Sequence, residues 1–214
     1  MAKALIAMSG GVDSSVAAYL TQQAGYTCVA ATMQLHSDHS MQDVEDARRI
    51  ANLLNMPFHV FDFRDDFRHH VIEDFIQSYE AGLTPNPCIT CNRQLKFGGF
   101  LEKALQLDCP SIVTGHYAQI QKDPGTDRYL LCKAADSSKD QSYFLCQLSQ
   151  DQLEKALFPI GALEKPRVRE LARQADLPSA EKKDSQGICF VGKVDLPVFL
   201  QQKLAPKEGK VVEI

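Results

Sequence analysis

SGGVDSS, residues Ser9–Ser15, stands between a short apolar run, Lys3 to Met8, and a helical pattern, Ser14 to Gln23, that closes at Gly25. The order strand, glycine turn, helix suits an anion. Two glycines let the backbone turn tightly and come close to a ligand, and the turn amides join the helix N-terminus in pointing at it. Ser9, Ser14 and Ser15 add hydroxyl donors, and Asp13 stands where a magnesium-bound pyrophosphate would want a carboxylate. No lysine occupies the GxxxxGK[ST] position, so this is not the Walker loop that handles a terminal phosphate. A plain strand-to-helix turn capped by serines accounts for the Gly and Ser but not for the whole string.

Outward from the loop, apolar runs alternate with amphipathic ones. Thr27 to Met33 and Phe58 to Phe63 read as strands, and so does Ser111 to Thr114. Between them lie helical patterns: one from Ser40 through Leu54, one from Asp65 to Glu80 with Phe67, Val71, Ile72, Phe75 and Tyr79 on one face, and one from Arg93 to Gln106. This alternation predicts an α/β fold, a doubly wound parallel sheet. After Gly115 the character changes. Tyr117 to Gln121 and Tyr129 to Lys133 flank a DPGTD turn and predict a hairpin, followed by helices at Asp151 to Leu157 and Val168 to Gln174. Pro178 to Ser185 reads as a polar, mobile segment, and PKEGKVVEI at the end as a strand just begun.

The chain has 214 residues, 44% of them hydrophobic, enough to bury a full core. No apolar run approaches the roughly 20 residues that span a bilayer, and the first run leads into a glycine turn rather than a cleavage site. Seven cysteines without an export signal imply a reducing, cytoplasmic setting in which thiols serve packing, metals or catalysis. A net charge of -4 means that any nucleic-acid partner must meet a local positive field.

The loop resembles the pyrophosphate loop of the ATP pyrophosphatase superfamily, which splits ATP between the α and β phosphates and adenylates a substrate. The resemblance implies ATP and Mg2+ as cofactors. Two cysteine segments narrow the substrate. TPNPCITCN, Thr84 to Asn92, uses two prolines to hold an extended loop before Cys91, which is expected at a helix start that lowers its pKa. DSQGICF, Asp184 to Phe190, presents Cys189 after a glycine. Together with ATM at Ala31 to Met33, TGHYA at Thr114 to Ala118, KDQSYFL at Lys139 to Leu145, FPIG at Phe158 to Gly161 and KPRVRELA from Lys165, these segments resemble the tRNA-specific 2-thiouridylases, the MnmA family, over nearly the whole chain.

The resemblance implies that ATP adenylates the C2 oxygen of the wobble uridine, that Cys189 carries a persulfide sulfur, and that Cys91 is its catalytic partner, releasing the sulfur or forming a disulfide with Cys189. It assigns nucleotide contacts to Ala7, Met8, Ser9, Gly10, Gly11, Val12, Asp13, Ser14, Ser15, Met33 and Gly115. It assigns target-base contacts to Asn86, Pro87 and Cys88, and tRNA contacts to His116, Lys139, Asp140 and Gln141. The implied partners are the anticodon region of tRNA and a sulfur donor such as a cysteine desulfurase or sulfur-relay protein, with no membrane.

One departure matters: many family members carry Asp where this chain has Cys88, so the acid–base role given to that carboxylate does not transfer. Cys88, Cys91 and Cys189 could instead hold an iron–sulfur cluster or zinc. Another pyrophosphatase-type ligase is a further alternative, although it would have no use for Cys91 and Cys189. Lys165, Arg167, Arg169, Arg173, Lys182 and Lys183 read either as a phosphate track or, with the acids among them, as a solvated helix face. The expected organisation is a nucleotide-binding domain over residues 1–145, a helical tRNA-binding extension with the second cysteine over 146–205, and the start of a central domain over 206–214.

Overall fold

The computed structural model describes residues 2–36, 40–184, 187–191 and 195–205. The strand expected in PKEGKVVEI and the central domain expected over 206–214 lie outside the described residues, as do His39, Ser185 and Gln186.

The first half alternates as the apolar pattern requires: β1 (Lys3–Ala7), α1 (Val12–Gln23), β2 (Thr27–Gln34), α2 (Ser40–Leu53) and β3 (Phe58–Asp62). A helical run follows, in which α3 (Arg64–Phe67) passes through a π-helical segment (Arg68–Glu73) into α4 (Asp74–Glu80). Phe67, Val71 and Phe75, each four residues from the next, are all buried along it. A second run starts at α5 (Pro87–Thr90), continues as a π-helical segment (Cys91–Gly99) and ends as α6 (Phe100–Gln106), leading to β4 (Ser111–Val113). Beyond β4 come the antiparallel hairpin β5 (Ala118–Lys122) and β6 (Tyr129–Lys133), a 3-10 turn (Ser142–Leu145), α7 (Gln150–Lys155), β7 (Ala156–Leu157), α8 (Lys165–Gln174) and α9 (Leu196–Gln201).

The main sheet has the order β3-β2-β1-β4-β7, every pair parallel. Chain order reverses between β1 and β4. At such a switch point the loops leaving neighbouring strands diverge and open a crevice at the carboxyl edge of the sheet. The SGGVDSS loop leaves β1 there, and the loop carrying Gly115 leaves β4 beside it.

One sequence expectation is corrected. Ala156 and Leu157 were expected in a helix, but they form the fifth strand, paired with Ile112 and Val113. A two-residue strand made by partnering β4 leaves no local pattern for sequence to reveal. Buried packing runs across residue 145. Val168, Ala172, Leu177 and Ala180 pack with Ala4, Ile6, Val16 and Ala17 in one buried cluster, which places α8 against α1.

Candidate active site

The loop between β1 and α1 is held by its own backbone. Gly10 takes φ +71° and lies so close to α2 that a Cβ there would meet the Asp43 carbonyl oxygen at 2.8 Å and Asp46 Cβ at 2.9 Å. Gly11 is the N-cap residue of α1 and no side chain caps it, so the first-turn amides have no intrahelical acceptor and are available to an anion. Gly115 packs from β4 directly onto this turn.

The serines divide. Ser9 is exposed, and its hydroxyl lies 3.1 Å from that of Ser14. Ser15, expected as an anion donor, is fully buried and donates its hydroxyl to the Gly11 carbonyl at 2.7 Å. It stabilises the helix start instead.

Asp13 was expected to face magnesium, but its carboxylate is taken up by protein. Lys165 Nζ lies 2.8 Å from each of its oxygens, and the Tyr117 hydroxyl donates to Oδ1 at 2.8 Å. Burial first, then the Asp13 charge, pushes the Tyr117 phenol far above its ordinary range and keeps it a donor. A metal ion at Asp13 would have to displace the Lys165 ammonium, so no step is assigned to magnesium there.

The same ammonium lies 2.8 Å from Asp184 Oδ1. Arg169 Nη2 and Lys139 Nζ complete the grip on Asp184 at 2.9 and 3.0 Å. Residues 178–184, expected to be a mobile stretch, are thus tied down. Arg169 also donates to the carbonyls of Ala180 and Lys182, Lys182 pairs with Asp43 and Asp46 beside the loop, and Ser179 is buried. The basic run from Lys165 to Lys182 is spent largely on internal partners, with Arg167 on Glu170 and Arg173 on Glu181. This favours the reading as paired surface over the phosphate track.

Cys91 is not at a helix N-terminus. That position belongs to Pro87 and Cys88, with Asn86 as N-cap: its Oδ1 accepts the Cys88 amide at 3.1 Å. Cys91 lies a turn further on, buried, and burial raises its pKa despite the opposing charge of Lys96. The expected acidic thiol is therefore a protonated one, because burial disfavours the thiolate. Cys189 is exposed as a residue, yet protein crowds its sulfur. Desolvation first, then the Cys91 and Cys88 thiols, push it up to about 11.

Phe190, the residue after Cys189, packs against the buried cluster that contains Cys91, and all seven cysteines are free thiols. Among the described residues no group of three His, Cys, Asp or Glu side chains is arranged to hold a metal ion. The cysteines therefore do not fit a cluster in this arrangement. Since the thiolate is the reactive form, alkylation of Cys189 is expected to accelerate about tenfold per pH unit from pH 7 to 9. Rates that level off below pH 9 would contradict the raised pKa.

Phe190, which the sequence reading left without a role, anchors Cys189. Its ring lies 5.3 Å from Phe75, 5.7 Å from Phe67 and 5.7 Å from Phe199, all edge-on. Asn92, next to Cys91, is buried and donates from Nδ2 to the Phe144 carbonyl at 3.0 Å, tying the cysteine helix to the 142–145 turn.

The expected tRNA contacts are also engaged internally. Asp140 accepts from Ala134 N and the Ser142 hydroxyl, Gln141 accepts from Tyr117 N, and Lys139 holds Asp184. His116 is buried between Phe97 and Phe158, bonded through Nδ1 to Thr114 at 2.7 Å, and burial drives its pKa well below the usual range. At neutral pH it can offer a neutral imidazole but not a cation. Met33 ends the inner face of β2, and Ala7 and Met8 lead from β1 into the loop.

Residues 2–193 match the family described as the tRNA methyl transferase HUP domain. The chain belongs to this family. Over 226 aligned residues it is 50% identical to the tRNA-specific 2-thiouridylase MnmA of Flavobacterium johnsoniae, covering 100% of this chain and 57% of that protein. The protein of the same name from Clostridioides difficile is 49% identical, with 99% and 62% covered. The chain thus spans about three fifths of the length of these curated relatives.

Among solved structures, a 4-thiouridine synthetase in complex with RNA and bound ATP aligns with TM-score 0.60 at 16% identity, over 94% of this chain and 50% of that one. NMN synthetase from Francisella tularensis aligns at 0.52 and 20% identity, over 86% and 66%. At these identities the likeness is one of fold, and it agrees with the pyrophosphatase-type sheet expected from the loop. No helix among the described residues is long and apolar enough to cross a membrane.

Proposed function

We propose that the chain carries the nucleotide and sulfur chemistry of a tRNA-specific 2-thiouridylase. The observation that carries this reading is the meeting of two elements at the carboxyl edge of one sheet. An uncapped helix N-terminus framed by Gly10 and Gly115 lies there, and a Cys189 segment coupled to Cys91 is tied to it through Asp184 and Lys165.

ATP, when bound, would supply the adenylyl group that turns the C2 oxygen of the wobble uridine into a leaving group. The amides of the first turn of α1, with Ser9 and Ser14, would hold its phosphates, and Ala7, Met8, Val12, Met33 and Gly115 would shape the nucleotide side. Lys165, already at Asp13, supplies positive charge without a metal. Asn86, Pro87 and Cys88 sit at the entrance of the cysteine helix, where the target base would lie. The terminal sulfur of a Cys189 persulfide would attack C2 as AMP leaves. The Cys91 thiol would then break the sulfur–sulfur bond, giving 2-thiouridine and a Cys91–Cys189 disulfide that a cellular thiol reduces. A cytoplasmic setting and a persulfide donor protein belong to this proposal.

The test is nucleoside mass spectrometry of bulk tRNA from cells lacking the gene. The expected result is loss of 2-thiouridine. Unchanged 2-thiouridine would end the assignment.

A further inference from the structure

Two carboxylates from distant parts of the chain lean on one cation. Lys165 is buried, its side chain 10% exposed, and its ammonium lies 2.8 Å from Asp13 in the phosphate loop and 2.8 Å from Asp184, which starts the segment leading to Cys189. Asp13 and Asp184 are 171 positions apart in sequence. Their other bonds differ in kind. Among the described residues Asp13 keeps the Tyr117 hydroxyl, whereas Asp184 keeps Lys139 and Arg169. Removing Lys165 from Asp184 therefore weakens its hold without abolishing it.

We propose that Asp184 is a positioning residue for Cys189, and that nucleotide phosphates at the N-terminus of α1 loosen it by drawing Lys165 away. This rests on the reading of that N-terminus as a nucleotide site. Phosphate oxygens arriving beside Asp13 compete directly for a buried ammonium, because a charge-assisted hydrogen bond is strongest to the most highly charged acceptor. With Lys165 turned to the phosphates, Asp184 keeps two of its three cations, and the backbone five residues before Cys189 gains freedom. The sulfur carrier would then leave its crowded position only when the nucleotide is in place.

Linkage makes the effect reciprocal: whatever factor ATP adds to the release of Cys189, release of Cys189 must add to the affinity for ATP. Loss of the Asp184 charge should therefore tighten ATP binding. A merely structural role predicts the opposite, since damage to the fold near the loop would weaken it.

The experiment uses the 214-residue chain, with iodoacetamide labelling of Cys189 followed by peptide mass spectrometry and ATP affinity measured by equilibrium dialysis. In wild type, ATP is expected to speed Cys189 labelling. Asp184→Asn is expected to label about tenfold faster without nucleotide, the size set by one charged hydrogen bond, and to bind ATP more tightly by a similar factor. Asp184→Glu should restore both wild-type behaviours.

Labelling of the buried Cys28 and Cys109 reports unfolding. If Asp184→Asn shows it, the wild-type response to ATP and the Asp184→Glu variant decide. ATP that binds without changing Cys189 labelling in either protein overturns the proposal and leaves the function standing. Failure of wild type to bind ATP sinks the function, while unchanged labelling of folded Asp184→Asn without nucleotide sinks the positioning role by itself.

Discussion

Serine at position 189 is expected to abolish 2-thiouridine formation completely, because a hydroxyl cannot hold a persulfide, while adenylation of tRNA, read as ATP-dependent pyrophosphate release, persists. Serine at position 91 is expected to leave sulfur loading on Cys189 intact and to block its transfer. The raised pKa values sharpen this expectation. Both thiols are protonated near neutral pH, so neither is a ready nucleophile at rest, and Lys96 is the neighbouring charge that favours the thiolate at both. Sulfur must therefore be activated by arriving as a persulfide, or by movement of Cys189 out of its desolvated position. Disulfide formation between the two cysteines also needs alpha carbons within about 7 Å. The measurement is to load the chain with labelled persulfide sulfur and locate it by peptide mass spectrometry in wild type and in each Cys→Ser variant. Label on Cys88 or Cys91 but never on Cys189 would remove Cys189 as the carrier.

What the sequence disclosed were features with a local cause. Strand, glycine turn and helix can be read from SGGVDSS because each residue type there answers to the backbone beside it, and the DPGTD turn placed its hairpin correctly for the same reason. Features made by distant partners stayed hidden. The π-helical segments at Arg68–Glu73 and Cys91–Gly99 carry no sequence mark, since one extra residue per turn is imposed by packing. The acidity expected for Cys91 followed a local rule about helix ends. It failed because Pro87 starts the helix a turn earlier and the core then buries the sulfur. Lys165 was visible only as one of several basic residues, and nothing within its own helix shows that it joins the loop to the second cysteine segment. Phe190 stood inside the quoted GICF string, but its three aromatic neighbours come from α3, α4 and α9.

Alanine at position 115 is expected to destroy nucleotide binding and to lower the melting temperature, although it adds a single methyl group. A Cβ on Gly115 would lie 2.6 Å from Ser14 N and 2.7 Å from the Asp13 carbonyl carbon. Those are backbone atoms of the first turn of α1, so no side chain can rotate away and one element must move. Overpacking of this kind costs about 1–3 kcal/mol or more, which for a chain of this size lowers the melting temperature by roughly 2–12 °C. The displaced element matters more than the energy. The turn that must retreat presents the amides to the phosphates and carries Asp13 toward Lys165, so ATP affinity should fall further than stability does. Gly125→Ala in the hairpin turn is the control, since a Cβ there meets only Asp123 Oδ1 at an ordinary 3.6 Å and should change neither quantity. Thermal unfolding and equilibrium dialysis of ATP on the two variants separate the cases. A Gly115→Ala protein with wild-type melting and wild-type ATP affinity would mean that the β4 loop does not press on α1, and the nucleotide site would have to lie elsewhere.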